Sequence, residues 1–499
     1  MKKYHIFARL KNQVHHSYMR KSIVALVCLL CFLFGKGQTH PAIQRFLDAP
    51  YMRGASVSLM VKDMSADTVL YQYDADRLLI PASVLKIVTT ATALELLGPD
   101  FRYETSLMYD GTIGDSVLNG HIYICGSGDP SLGSSETDID RNKMMRDWIT
   151  AIKNKGIKKI DGAVIADESI FDTEGVSMKW MREDLGSYYG QGSYGLNIFD
   201  NRFALFLNTG EPDSKPEIER SEPDMSSLLF HNYLTTSATS KDSSSIIGFP
   251  YAAERFLYGV VPPNRAAYQM IGDIPDPPLF VATCLTNRLQ QEQITVTGTP
   301  ACYRLLSSAG RWTPQNRVVL TASDSPPIYE LVRITNHVSH NLYADALLKT
   351  IGLKDTSDAV VSSFERGINV LRGFWRAKGL DTSCLWMSDG SGLSHADKVS
   401  AGFLSRLLTY MGVHSAVSQP FIESLPRVGM EGTVKNMLKN TRLEENARLK
   451  SGSMSRIRSY AGYITKDEKQ YTVAILVNNF SCSQARMKMD IEQLLLALF

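Results

Sequence analysis

An excess of charge of one sign is missing from this sequence of 499 residues. It has 53 basic and 51 acidic residues, for a formal net charge of +2, so it carries no electrostatic footprint for nucleic acid. Two hydrolase motifs are also missing, because no Gly-x-Ser-x-Gly and no His-Glu-x-x-His occurs in the chain. The sequence therefore gives no support to a nucleic-acid-binding protein, an α/β-hydrolase or a zinc peptidase.

Cysteine is scarce beyond the N-terminal segment. Cys125, Cys284, Cys302, Cys384 and Cys482 are scattered, odd in number and in no Cys-x-x-Cys pair. This pattern argues against a zinc site and against a disulfide framework, although one unassigned disulfide stays open. We predict no metal site.

The N-terminus has the pattern of an export signal. Met19–Lys21 is basic, Ile23–Phe34 is almost wholly apolar, and Gly35–Gln38 ends the run with small and polar residues. These three parts are typical of a secretory signal peptide, and the apolar run is shorter than the ~20 residues of a membrane span. We predict that residues 1–38 are a signal peptide and that the protein is exported, with an uncleaved anchor as the alternative.

Strand patterns occur at both ends of the remaining chain. Ala55–Val61 and Thr68–Tyr73 are typical of a hairpin, and Leu443–Gly452, Tyr460–Thr465 and Tyr471–Val477 of three successive strands. Helical patterns occur at Ser339–Leu353, Phe364–Lys378 and Ala485–Leu498. This arrangement indicates an α+β structure in which both chain ends complete one sheet covered by helices.

Residues 100–310, called the inserted segment below, differ from the two ends. They contain separate strand candidates and a polar stretch, Glu211–Ser245, that reads as mostly loop. We predict one domain from residues 39–99 plus 311–499, and an inserted domain or domains over residues 100–310.

Ser83 and Lys86 lie three residues apart at the start of a predicted helix. Pro81 suits the first turn, and Gly98-Pro99 ends the apolar helical pattern. This spacing brings both side chains to one face, where a lysine of lowered pKa can accept the proton of a serine hydroxyl. The alternative is an ordinary helix start with a solvated lysine.

Two further groups of residues add to this pair. Ser339 and Asn341 can flank a cleft from one loop, or Ser339 can simply cap a helix. Lys450-Ser451-Gly452-Ser453 lies on a predicted strand. There Lys450 and Ser451 can hold a carboxylate, Gly452 lets a substrate backbone approach, and the Ser453 N–H can complete an oxyanion hole. The alternative is an edge-strand lysine before a bulge.

Together the order and types of these residues match the Ser-x-x-Lys, Ser-x-Asn and Lys-Thr/Ser-Gly set shared by penicillin-binding proteins and serine β-lactamases. From about residue 50 onward the chain resembles the D-alanyl-D-alanine carboxypeptidase/endopeptidase family, the class C low-molecular-mass penicillin-binding proteins. Six further segments carry the resemblance: Gly126–Leu132, Asp161-Gly162 with Asp167, Leu196-Asn197 with Asp200-Asn201, Asp389–Ser394, Gly432-Thr433 and Ala461–Tyr463. The chain departs from the family at Ser451, usually threonine, at His340, commonly Asn or Asp, and at His395, usually arginine.

The resemblance implies a penicillin-binding, β-lactamase-like transpeptidase fold with a large insertion. It implies that Ser83 forms an acyl-enzyme with D-alanyl stem peptides of peptidoglycan, that Lys86, Ser339, Asn341 and Lys450 assist, and that β-lactams inhibit. It implies no cofactor and a periplasmic site of action, with loose inner-membrane association and contacts to other cell-wall enzymes left open. The alternatives are a serine β-lactamase and a non-catalytic cell-wall binding module on the same scaffold.

Overall fold

The computed structural model describes residues 39–313, 315–357 and 360–499, so the predicted signal peptide lies outside the described residues. Residues 39–49, in which Pro41–Leu47 is a helix, belong to one unit, and residues 50–499 belong to the other. Within the described ranges, no helix is both long enough and apolar enough to cross a membrane.

A five-stranded antiparallel sheet contains strands from both ends of the second unit. Its order is Thr68–Tyr73, Ser56–Asp63, Lys469–Asn478, Ile457–Lys466 and Ala447–Met454. The predicted hairpin and the three predicted C-terminal strands are therefore confirmed. Ala447–Met454 lies at the edge of this sheet, so its outer side is open to other parts of the chain or to a ligand.

Helices build the main hydrophobic core against this sheet. The helices of this part are Lys86–Leu97, Ile328–His337, Asn341–Gly352, Ser363–Ala377, Ala401–Val413, Ser418–Ser424 and Gln484–Leu498. Short 3₁₀ turns occur at Pro50–Met52, Ala82–Leu85, Thr382–Cys384 and Gly432–Val434, and Leu385–Trp386 pairs with Lys398–Val399. Lys86–Leu97 is buried around most of its surface, as expected for a helix without a polar face. It ends at Gly98, whose φ of 85° is easily adopted by glycine.

The inserted segment, with one strand from beyond residue 310, forms sheets separate from the five-stranded sheet. A mixed sheet has the order Ala301–Cys302, Val164–Asp167, Ile122–Cys125, Glu104–Tyr109 and Val318–Asp324, beside a smaller sheet of Thr295–Val296, Lys159–Ile160, Val117–Asn119 and Thr112–Gly114. Helices Lys143–Asn154, Pro277–Gln291 and Tyr303–Ser308 accompany them. Further strands form three small sheets: Glu217–Glu222, Arg202–Thr209 and Arg265–Asp273; Leu229–Asn232, Glu254–Tyr258 and Ser245–Ile247; and Thr235–Thr236 with Val260–Val261. Three hydrophobic clusters separate from the main core stabilise this part.

Two details differ from the sequence-based expectation. Val318–Asp324 pairs with Glu104–Tyr109, which favours an end of the insertion after Asp324; the division into domains stays a prediction. The polar stretch Glu211–Ser245 was expected to be mostly loop, yet it contains three of the strands named above. Glu217–Glu222 is exposed on nearly every residue, so it lacks the apolar alternation by which a half-buried strand is recognised.

Candidate active site

The site starts at the turn that leads into the buried helix. Ser83 lies in the 3₁₀ turn Ala82–Leu85, and Lys86 is the first residue of the α-helix. Lys86 is fully buried. Its Nζ donates to Ser83 Oγ over 3.1 Å, to Asn341 Oδ1 over 2.6 Å and to the Ser391 carbonyl over 2.7 Å. Every N–H of the Lys86 ammonium therefore has an acceptor.

Burial changes the protonation of Lys86. Loss of water lowers the pKa of Lys86 to about 8, against the opposing effect of the carboxylates of Asp345, Asp389 and Asp397. An exposed lysine is only roughly 0.1% neutral at pH 7.5, whereas a pKa near 8 leaves roughly a quarter of the molecules neutral. Lys86 can thus act as a base near neutral pH.

Ser339 lies in the tight turn between helices Ile328–His337 and Asn341–Gly352, and Asn341 is the first residue of the second helix. Ser339 has a φ of 62°, in the left-handed region, which costs backbone energy for a residue with a side chain. Besides accepting from Lys86, Asn341 donates through Nδ2 to the Tyr189 carbonyl over 2.8 Å. The inserted segment therefore contacts the site directly at this amide.

Lys450 lies on the edge strand and reaches the same turn. Its Nζ donates to Ser339 Oγ and to the Ser451 carbonyl, each over 2.9 Å. Burial and, second, the nearby charge of Lys86 lower the pKa of Lys450 well below its usual value. A negatively charged ligand beside the two lysines would oppose both effects, because an opposite charge favours the protonated form of each lysine.

The residues after Lys450 line the opening of the site. Ser451 Oγ donates to Thr433 Oγ1 over 2.7 Å. Gly452 lies against the turn that carries Ser83, where a β-carbon at position 452 would be 3.1 Å from Ser83 N. Ser453 is exposed. The edge strand and the turn of Ser83 therefore face each other across a narrow gap, with backbone groups on both sides.

A cleft of about 520 Å³ opens at Ser83. Its floor and one wall come from the predicted site residues: Ser83, Ser339, Asn341 and Ser453. The inserted segment supplies a second wall: Met181, Glu183, Asp184, Tyr188, Tyr189 and Arg202. The chain thus places the Ser83 hydroxyl in a cleft large enough for a peptide segment.

The family comparison decides which family the chain belongs to. The model of the D-Ala-D-Ala carboxypeptidase 3 (S13) family matches residues 40–497. The chain belongs to the S13 family. As an S13 member it is a serine-type D-Ala-D-Ala peptidase, so the predicted enzyme class and function are confirmed.

Relatives match this S13 chain over most of their own length, and a solved structure shares its fold. A D-alanyl-D-alanine carboxypeptidase of Actinomadura sp. (strain R39) is 25% identical over 450 residues, which cover 88% of this chain and 80% of that protein. The crystal structure of penicillin binding protein 4 (dacB) from Haemophilus influenzae superposes with a TM-score of 0.78 at 20% identity, covering 92% of this chain and 98% of that one. A structure of that protein complexed with a β-lactam gives a TM-score of 0.73 at 18% identity, with the same coverage of both chains. The predicted penicillin-binding fold, α+β with additional domains, is confirmed.

The sequence did not reveal several groups that complete the candidate site. The Ser391 carbonyl accepts from Lys86, and three buried aspartates, Asp345, Asp389 and Asp397, oppose the lowering of its pKa. Asp389 and Ser391 belong to the segment Asp389–Ser394. The sequence singles out this segment by its resemblance to the family, but it gives the two residues no chemical role. Among residues 39–313, 315–357 and 360–499, no cluster of three or more His, Cys, Asp or Glu side chains has the arrangement of a metal site.

Proposed function

We propose that Ser83 is the nucleophile and Lys86 the general base of an acyl transfer on D-alanyl peptides of peptidoglycan. The observation that carries this proposal is the contact of the buried Lys86 amine with Ser83 Oγ. A serine hydroxyl needs such a neighbour to lose its proton. Lys86 can accept this proton without the help of a histidine, because burial keeps part of the lysine population neutral.

The reaction proceeds in two halves. Ser83 Oγ transfers its proton to Lys86 Nζ and attacks the carbonyl carbon of a D-Ala residue, and the backbone N–H groups of Ser83 and Ser453 stabilise the oxyanion. Ser339, bridged to Lys450, passes a proton to the leaving amine as the C–N bond breaks, and the proton that Lys86 took from Ser83 replaces the one that Ser339 has lost. Water then hydrolyses the ester on Ser83, which restores the enzyme.

The edge strand that carries Lys450 and the turn before Asn341 bind the substrate in this proposal. Lys450 and Ser451 hold a carboxylate of the substrate by charge and by hydrogen bonding, Gly452 admits its backbone, and Asn341 contacts a substrate amide. When the leaving group is terminal D-Ala, the enzyme acts as a carboxypeptidase. When it is the side-chain amine of a cross-linked diamino acid, it acts as an endopeptidase.

β-Lactams acylate the same serine in this proposal. The β-lactam-bound relative described above supports it, because that protein has the same fold. We further propose that the protein is exported by its N-terminal segment, acts in the periplasm and touches the membrane only peripherally. Fractionation of cells that express the tagged full chain tests this location: cytoplasmic recovery of an unprocessed chain contradicts it.

Covalent labelling tests the nucleophile. Purified protein without residues 1–38 is incubated with a fluorescent penicillin beside Ser83→Ala, and labelling is measured by gel and intact mass. We expect one label per wild-type molecule and none on the variant. A folded wild type that takes no label contradicts the proposal and favours a non-catalytic binding module.

Product analysis then separates the activities. Wild-type enzyme is incubated with uncross-linked pentapeptide and with cross-linked dimer muropeptides, and D-Ala and monomer release are quantified. Release of either product, lost in Ser83→Ala, supports the proposed chemistry. Rapid nitrocefin turnover without either product supports a β-lactamase instead.

A further inference from the structure

The three partners of Lys86 dictate where its lone pair points. A neutral amine has two N–H bonds and one lone pair, whereas the carbonyl of Ser391 and Oδ1 of Asn341 can only accept. Both N–H bonds are therefore used by these two acceptors, at 2.7 and 2.6 Å. The lone pair is left facing Ser83 Oγ, the one partner with a proton to give. The Lys86 lone pair stays directed at Ser83 Oγ only while both acceptors remain in place.

The inserted segment fixes the first acceptor. Asn341 Nδ2 donates to the Tyr189 carbonyl over 2.8 Å. An amide can present either oxygen or nitrogen to a neighbour, and the partner of one atom decides the orientation of the other. Because Tyr189 offers a carbonyl, the Asn341 amide turns its oxygen toward Lys86.

The second acceptor belongs to a loop folded around a buried carboxylate. Asp389 Oδ1 accepts from the N–H groups of Ser391 and Gly392 over 3.0 and 2.6 Å. Its Oδ2 accepts from Ser394 N over 2.8 Å and from the indole N–H of Trp180 over 2.7 Å. Three of these four donors are in the loop itself, and the fourth is a buried side chain of the inserted segment.

Two more hydrogen bonds hold the same part of the inserted segment against this loop. Ser177 Oγ donates to the Ser388 carbonyl over 2.8 Å, and Ser394 Oγ donates to the Lys179 carbonyl over 3.1 Å. Residues 177–180 and 388–394 thus form a seam of three side-chain bonds. Trp180 makes the third bond, which goes to the carboxylate of Asp389. A hydrogen bond to a charged group is the stronger kind.

We propose that Trp180 is a positioning residue for the reaction: through Asp389 it holds the Ser391 carbonyl that aims the Lys86 lone pair at Ser83. The inserted segment thereby takes part in activating the nucleophile, in addition to forming a wall of the cleft. This inference rests on the proposed roles of Ser83 and Lys86.

The test compares Trp180→Phe with Trp148→Phe. Both substitutions shorten a buried tryptophan of the inserted segment, but Trp148 Nε1 has no hydrogen-bond partner among the described residues. For each protein, the covalently labelled fraction at long times counts active molecules. The acylation rate at saturating and at low fluorescent penicillin separates the acylation step from reversible binding.

We expect Trp180→Phe to label fully but to acylate about tenfold more slowly at saturation, with reversible binding unchanged. Trp148→Phe keeps the wild-type rate per active molecule. Equal rates in the two variants overturn the inference, and since the wild type still labels, the proposed roles of Ser83 and Lys86 survive that result. A wild type that takes no label instead overturns the proposed function itself.

A second variant tests the same inference if Trp180→Phe does not fold. Ser177→Ala removes one bond of the same seam without opening a large cavity, and we expect its saturating acylation rate to fall about threefold. A rate equal to that of Trp148→Phe overturns the inference in this case also.

Discussion

Gly452 lies so close to Pro81 that a β-carbon at position 452 would be 2.6 Å from the Pro81 carbonyl oxygen. The same β-carbon would lie 3.0 Å from Val84 N and 3.1 Å from Ser83 N. These are backbone atoms, which cannot turn away as the end of a flexible side chain can. The spacing between the edge strand and the turn of Ser83 is therefore set by the absence of a side chain at position 452.

Gly452→Ala is expected to slow acylation by a fluorescent penicillin about a hundredfold or more. The added methyl forces the strand and the turn apart, which moves the two N–H groups proposed to stabilise the oxyanion, and loss of one such donor alone costs about 10²–10³ in rate. Stopped-flow acylation checks this. Gly373→Ala is the matched control, because a β-carbon there meets nothing within 4 Å; equal rates in the two variants would contradict the prediction.

The acylation rate is expected to rise with pH around a midpoint of about 8. Burial lowers the pKa of Lys86 to about 8, and only the neutral amine can take the Ser83 proton. The second-order rate constant for β-lactam acylation is measured from pH 6 to 10 at constant ionic strength. Lys86→Arg keeps a positive charge that does not titrate in this range, so it should not acylate at any of these pH values. A wild-type rate that is flat between pH 7 and 9 contradicts the assignment.

The sequence predicts the residues that act through their side chains better than those that act through their backbone. Ser83 and Lys86 were found because their spacing on a helix is itself the signal, and the C-terminal strands because they are apolar and regular. The Ser391 carbonyl has no such signal, since every residue carries a carbonyl. Its contact with Lys86 depends on a loop 305 residues away in the chain.

The contribution of the inserted segment was unpredictable for a similar reason. Trp180 and Tyr189 come from stretches without regular periodicity, and their partners lie more than 150 residues away. The exposed strand Glu217–Glu222 was missed because its stability comes from pairing with Arg202–Thr209 rather than from an apolar face of its own. Tertiary contacts of this kind decide local structure where the hydrophobic pattern is weak.

Lys450→Ala is expected to reduce the second-order acylation rate constant by about ten- to a hundredfold. It removes the donor to Ser339 Oγ and the charge proposed to hold the substrate carboxylate, and hydrogen bonds to charged groups contribute about 1.5–3 kcal/mol. The loss should appear in both reversible binding and the acylation step. Ser451→Ala is the milder comparison, because its hydroxyl is shared with Thr433; we expect a smaller loss there, and a larger one would contradict the assigned roles.

Acidification is expected to destabilise the protein through His340. This side chain is 2% exposed, with its Nε2 3.6 Å from Asp200 Oδ1 and its ring 4.6 Å from that of Tyr343. Burial and, second, the nearby charge of Arg202 lower the pKa of His340 to about 4. Between about pH 6.5 and pH 4 the unfolded chain binds a proton that the folded protein does not, so the free energy of unfolding falls as the pH drops, by up to about 3 kcal/mol.

His340→Asn removes this titration while keeping a polar side chain of similar reach. Urea unfolding at pH 7 and at pH 4.5 should therefore show a smaller loss of unfolding free energy in the variant than in the wild type. His414→Asn, at an exposed position, is the control and should keep the wild-type difference between the two pH values. The comparison reports on His340 together with Asp200, because, against the effect of burial, the contact with His340 lowers the pKa of Asp200. The other carboxylates that titrate in this range are shared by all three proteins. If His340→Asn loses as much stability as the wild type, the buried imidazole is protonated in the folded state, and the Asp200 carboxylate compensates its charge at low pH.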